Sequence, residues 1–165
     1  MTREDVDPGD GRDETLNERM DRNWVELLQE LRVTQTGTQI LTGFLLAVAF
    51  QQKFDDLTLA QHRFYLGLIV TAVLTTALGL APVNLHRALF RRHAKVALVA
   101  VSNVILRAVL VGVALVLAGT VVLVVDVVAG RTGAVVAGVL SVVVLAALAL
   151  LPRLVRIRAR SSSGT

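Results

Sequence analysis

Cysteine is absent from all 165 residues, which excludes disulfides, thiolate metal sites and cysteine nucleophiles. Aromatic residues are scarce, at 4%, so the basic stretches lack the interleaved stacking side chains that a single-stranded nucleic-acid groove needs. No apolar run interrupts the first 35 residues, so no cleavable signal peptide is expected there. The first apolar helix is expected to act as its own uncleaved signal. Catalytic constellations are missing as well. No nucleophile accompanies a base, and no cluster of metal ligands falls within an apolar segment. A non-enzymatic protein without cofactor or metal is expected.

What the chain does have is apolar sequence in long blocks. Hydrophobic residues make up 54%, and mean hydropathy is +0.64. From Val96 to Val125 the strongly polar interruptions are Ser102, Asn103 and Arg107. Such blocks exceed the roughly 20 residues needed to cross a hydrocarbon core. A water-soluble domain would need a polar exterior that this chain lacks over most of its length. The net charge of +4 and the pI near 10.6 could suggest nucleic acid. The basic residues, however, sit at the ends of apolar blocks, where membrane topology wants them.

The expected fold is all-α, a polytopic membrane protein of four transmembrane helices preceded by a cytoplasmic amphipathic helix. Residues 1–13 read as a disordered tail, 14–158 as the membrane domain and 159–165 as a second tail. Thr15-Leu16-Asn17-Glu18 has the form of a capping box. Beyond it Leu16, Met20, Trp24, Leu27, Leu28 and Leu31 recur at three- and four-residue intervals, one stripe of an amphipathic helix. Glu18, Arg22 and Glu26 line its other face. Trp24 suits either the headgroup level or a partner helix.

Spans are predicted at about 33–50, 64–82, 108–126 and 132–151. Pro82 closes the second, Thr58 is placed to cap it, and Asn84 is placed to cap the helix after it. A single helix from Leu85 to Val128 would extend about 66 Å, twice the hydrocarbon thickness. Residues 85–107 are therefore either interfacial or a straight continuation of the third span. Thirteen of the 17 Lys and Arg fall on the side this topology makes cytoplasmic, against Lys53, Arg63 and Arg131 outside and Arg107 at the boundary. A multi-pass protein of the plasma (inner) membrane follows, with both termini cytoplasmic.

The runs WVELLQELRVTQTGTQILTGFLLAVAFQ (Trp24 to Gln51) and APVNLHRALFRRHAK (Ala81 to Lys95) resemble a family of small bacterial membrane proteins of unknown function. Some members of it are labelled sodium/proton antiporter. The resemblance covers roughly Glu14 to Val128. It implies an inner-membrane protein with several spans, and it supplies no catalytic or binding residues.

Polar residues within the apolar blocks are the candidates for function. Thr34, Thr38 and Thr42 share a helix face, with Gln35 and Gln39 beside them. They serve either as inter-helix hydrogen bonds or as the lining of a path for an ion or small solute. Asp126 is the only acid inside an apolar block, at its outer end near Arg131. A proton-coupled antiporter would want a midplane carboxylate and paired broken spans, and the sequence has neither. Counting 19 residues back from Phe50 and from Asp126 reaches Leu31 and Arg107, both about 28 Å deeper. A Glu30–Arg107 ion pair between helices is expected at that level.

Arg87, Arg91, Arg92, Arg153 and Arg156 are expected to anchor on lipid headgroups, with Leu85, Leu89 and Phe90 dipping into the acyl boundary. His86 and His93 share a face, but arginines between them would repel a cation and no third ligand accompanies them. Small residues at four-residue spacing suit tight packing: Thr71, Thr75 and Gly79, Ala114 and Ala118, and Gly133, Ala137 and Ser141. The expected partners are the lipid bilayer and a second copy or another membrane protein, with no nucleic acid. Two functions are open: a structural or partner-binding membrane component, and a small oligomeric ion transporter.

Overall fold

The computed structural model describes residues 14–89 and 95–162, with the backbone alone at 16–17, 86–89, 95–97 and 152–162. The predicted tail 1–13, together with Phe90, Arg91, Arg92 and His93, lies outside the described residues, as do residues 163–165. Three helices carry the chain: α1 (Leu16–Val48), α2 (Leu59–Leu89) and α3 (Lys95–Ser162).

α1 begins where the capping box places it. The Thr15 hydroxyl accepts from the Glu18 amide at 3.4 Å, and the Glu18 carboxylate accepts from the Thr15 amide at 2.9 Å. One turn on, Arg22 donates to Glu14 at 2.6 Å and to Glu26 at 3.3 Å. These contacts, the hydrogen bond to Glu14 foremost, hold the guanidinium protonated well above its ordinary range. No residue in the helix breaks the periodicity, so α1 continues without a kink to Val48.

A short 3-10 turn, Gln52–Phe54, makes the connection. Phe54 seats it on the start of α2, edge-on to His62 at 4.7 Å and to Tyr65 at 5.0 Å. α2 runs straight through Pro82, contrary to the expectation that this proline ends it and that Asn84 opens a new helix. Pro82 is fully buried, and the packing around its ring holds the helix although the ring deprives the Leu78 carbonyl of its usual donor.

α3 holds one non-helical residue, Gly130, with φ 79° and ψ 179°. That region of backbone space is open to glycine almost alone. The helical arms on either side of it lie against each other near the junction: a Cβ on Gly138 would stand 3.3 Å from Val122 Cγ2.

The expected four transmembrane helices, and the four-helix bundle they imply, are corrected by this architecture. Among the described residues there are three α-helices, and two segments are long and apolar enough to cross a membrane, Leu59–Leu85 and Leu98–Leu151. The predicted first span, 33–50, fails because Thr34, Gln35, Thr36, Thr38, Gln39 and Thr42 crowd its first half. The predicted third and fourth spans both fall within α3, where a single glycine stands in place of a loop.

The chain divides into two compact units, one joining the residues up to Ala49 to Ile69–Val113, the other joining Phe50–Leu68 to the residues from Ala114 on. In the first unit Leu27, Leu31 and Leu106 form a buried cluster with Trp24 packed on it. Thr38, Ala72, Thr75, Leu98, Ser102 and Val109 are also buried. The α3 backbone approaches α2 closely here: a Cβ on Gly112 would overlap the Thr75 side chain. In the second unit Tyr65, Leu68, Val116, Leu123 and Ala134 are buried.

Candidate functional site

The second unit contains a polar corner set in apolar surroundings. Thr58 and Gln61 cap α2 reciprocally. The Gln61 amide donates to the Thr58 hydroxyl at 3.3 Å, and Gln61 Oε1 accepts from the Thr58 amide at 2.9 Å and from its hydroxyl at 3.0 Å. With its oxygen so engaged, the carboxamide can only donate on its other side. Gln61 Nε2 donates to Asp126 Oδ2 at 2.8 Å. The cap of α2 thereby fixes the rotamer of a carboxylate in α3.

Arg131 approaches the same oxygen from the far side of the Gly130 break, with Nη1 3.8 Å from Asp126 Oδ2. In an unbroken helix, residues five apart point about 140° away from each other. The Gly130 conformation brings these two together. The Asp126 side chain is 11% exposed and that of Arg131 is 84% exposed. A nearly buried anion thus faces a solvated cation. Both described partners meet Asp126 at Oδ2, and Oδ1 accepts no hydrogen bond among the described residues.

Asp126, Gln61 and Arg131 form the polar rim of a cavity of about 410 Å³ whose remaining walls, Phe64, Val122, Leu123 and Val135 among them, are apolar. A second cavity, about 390 Å³, lies between the arms of α3 and is lined by apolar residues and Ser141. The Ser141 hydroxyl donates to the Ala137 carbonyl at 2.8 Å, which leaves a neutral acceptor as the one polar group on that cavity's wall. The first cavity is the one with chemistry.

The polar face of α1 is arranged otherwise. Thr34, Thr38 and Thr42 each donate to the carbonyl four residues back, those of Glu30, Thr34 and Thr38, at 2.7 to 2.8 Å. Thr38 is buried, Thr42 half-buried and Gln39 exposed. Gln35 lies against Gly79, where an added Cβ would stand 3.3 Å from its Cγ. Its Nε2 is buried without a hydrogen-bond partner, as is Ser102 Oγ. None of these residues lines either described cavity.

The expected Glu30–Arg107 ion pair does not form: both residues are exposed, and no described salt bridge joins them. Their neighbours Leu31 and Leu106 share the buried cluster instead. Each helical step turns a side chain by about 100°, so pointing the leucines inward turns the charges outward. Of the proposed headgroup anchors, Arg91 and Arg92 lie outside the described residues, and Arg87, Arg153 and Arg156 stand where the helix backbone alone is described. His86 belongs with these. His62 closes the connection, with Nδ1 3.1 Å from the Leu57 carbonyl and 3.2 Å from that of Thr58.

Gln61 is the functional residue that the sequence reading passes over. Its signal was present, because Thr58-x-x-Gln61 repeats the capping-box form already recognised at Thr15.

No curated protein matches the chain, and no solved structure does. Residues 13–152 match a family of unknown function, DUF6328. Since that match spans both apolar segments and nearly all of the described fold, the chain belongs to the DUF6328 family.

Proposed function

We propose that this is an integral protein of the plasma (inner) membrane and that it acts as a non-enzymatic component, structural or partner-binding. One observation carries the membrane reading. The most apolar stretches of α2 and α3 are only 28% and 22% buried within the fold, so their apolar surface is turned mostly outward. Val142, Val143 and Val144 are 63%, 57% and 55% exposed. Three consecutive helical residues sweep about 200°, so more than half of that arm's circumference is apolar and exposed, and lipid is the solvent it suits.

The positive-inside rule assigns the arginine-rich stretches at 87–95 and 153–160, which flank the two arms of α3, to the cytoplasm. The component reading is supported by the α1 polar face, whose threonine hydroxyls are spent on their own backbone. The charged first half of α1 is the surface such a component would offer to a second copy or another membrane protein.

A second reading, a small oligomeric sodium/proton antiporter, draws on Asp126, which does line a cavity. Cation-driven proton flux in proteoliposomes separates the two, with a Gln39→Leu/Asp126→Asn double variant beside the wild type. No flux above empty liposomes from folded protein is expected. Flux that disappears in the double variant would replace the component reading with the antiporter. Recovery of the chain in the soluble fraction after a carbonate wash of membranes would overturn the membrane reading itself.

A further inference from the structure

Building on that membrane reading, we propose that the Asp126 cavity binds a zwitterionic phospholipid with a primary ammonium headgroup, of the phosphatidylethanolamine class. The ammonium meets Asp126, the phosphate meets Arg131, and part of an acyl chain fills the apolar space. The rim selects the headgroup. Asp126 Oδ1 accepts no hydrogen bond among the described residues while Oδ2 takes both partners. A carboxylate oxygen with no described protein partner, on a half-buried side chain at the rim of a cavity, can accept a donor, and a charged N–H donor makes the strongest bond there.

Arg131 decides what else the ligand must carry. A bare amine or metal ion approaching Asp126 would be repelled by the guanidinium 3.8 Å from the carboxylate. A phosphate on the same molecule turns that repulsion into a charge-assisted contact. A metal ion would also want several oxygen ligands, and Gln61 Oε1 is already held by Thr58.

Other common headgroups each fail one half of the rim. Choline carries the phosphate but has no N–H for Oδ1. Glycerol carries the phosphate but no cation for Asp126. The cavity, about 410 Å³ with Phe64, Val122, Leu123 and Val135 in its walls, has room for a stretch of acyl chain. Asp126 lies near the end of the first arm of α3 and Arg131 opens the second, which is headgroup depth for helices in lipid.

The test is lipid-dependent stability of the purified, delipidated full-length chain in detergent. Phosphatidylethanolamine, phosphatidylcholine and phosphatidylglycerol are added in turn and Tm is read. Phosphatidylethanolamine is expected to raise Tm clearly more than either of the others, and Asp126→Asn is expected to erase that difference. Arg131→Gln changes an exposed side chain and is expected to leave the fold intact; since all three lipids carry the phosphate, it is expected to weaken the response to all of them, phosphatidylethanolamine included.

Equal responses of the wild type to phosphatidylethanolamine and phosphatidylcholine would overturn the proposal. So would an ethanolamine preference that survives Asp126→Asn. If Asp126→Asn does not fold, an undiminished phosphatidylethanolamine response in Arg131→Gln overturns it. A chain that stays in carbonate-washed membranes yet shows no headgroup preference refutes the lipid site alone. A chain released by the wash refutes the membrane reading, and the lipid site with it.

Discussion

The two units differ in how much space adjoins the polar groups inside their apolar sequence. In the first, helices approach closely enough that Thr75 fills the space where a Cβ of Gly112 would be, and hydroxyls turn back onto their own helix. Two buried polar atoms, Gln35 Nε2 and Ser102 Oγ, are left without partners. The second unit leaves room. Both described cavities are in it, and its half-buried carboxylate is held at a rim by a side chain from another helix. Close packing makes the first unit a scaffold, and spacing gives the second unit a site. Polar residues in an apolar block therefore do not by themselves mark function; what matters is whether space adjoins them.

That contrast can be broken most severely at the scaffold. Leu31→Ala empties the middle of the Leu27–Leu31–Leu106 cluster and is expected to cost about 2–4 kcal/mol. Trp24, the single tryptophan, packs on that cluster, so its fluorescence during denaturation reports the first unit selectively. Next comes Gly112→Ala, expected to cost about 1–3 kcal/mol by overpacking against Thr75. Adding Thr75→Ala should recover most of the loss; no recovery would mean that Thr75 is not the obstacle.

Ser102→Ala acts in the other direction. It removes a buried hydroxyl without a partner and is expected to stabilise the chain by up to about 1 kcal/mol. A loss of stability would show that the hydroxyl has a role. The smallest effect belongs to Glu30→Gln and Arg107→Gln. Both residues are exposed, so each change is expected to stay within about 0.5 kcal/mol. A double-mutant cycle should give no coupling between them.

How far the sequence reveals this arrangement depends on the interaction concerned. Local chemistry is legible: Thr15-x-x-Glu18 announces the start of α1, and the unbroken periodicity after it announces one long helix. The apolar character of α2 and α3 is equally plain. The number of spanning segments is not, for three physical reasons. The Leu- and Phe-rich second half of α1 suggests a span until the Thr and Gln residues before it are weighed. Pro82 looks like a terminator because its burial is invisible in sequence. The Gly130 break falls between the predicted third and fourth spans, but a single residue makes it and helix resumes at once.

Register between helices was nearly readable. Depth counting put Leu31 and Arg107 at one level, and the structure joins Leu31 to Leu106. Depth says nothing of the direction in which a side chain points, and an error of one residue exchanged a leucine contact for an ion pair. The site itself could not be assembled from sequence, because Gln61 and Asp126 lie 65 residues apart and only tertiary packing brings them together.

Three threonines in succession along one face of α1 share carbonyls with the amides that would otherwise hold them alone. Each shared carbonyl loosens the backbone bond it also accepts, and such sharing bends helices. Thr34, Thr38 and Thr42 thus keep their hydroxyls off the neighbouring helices, and what they present there is packing surface rather than hydrogen-bond donors.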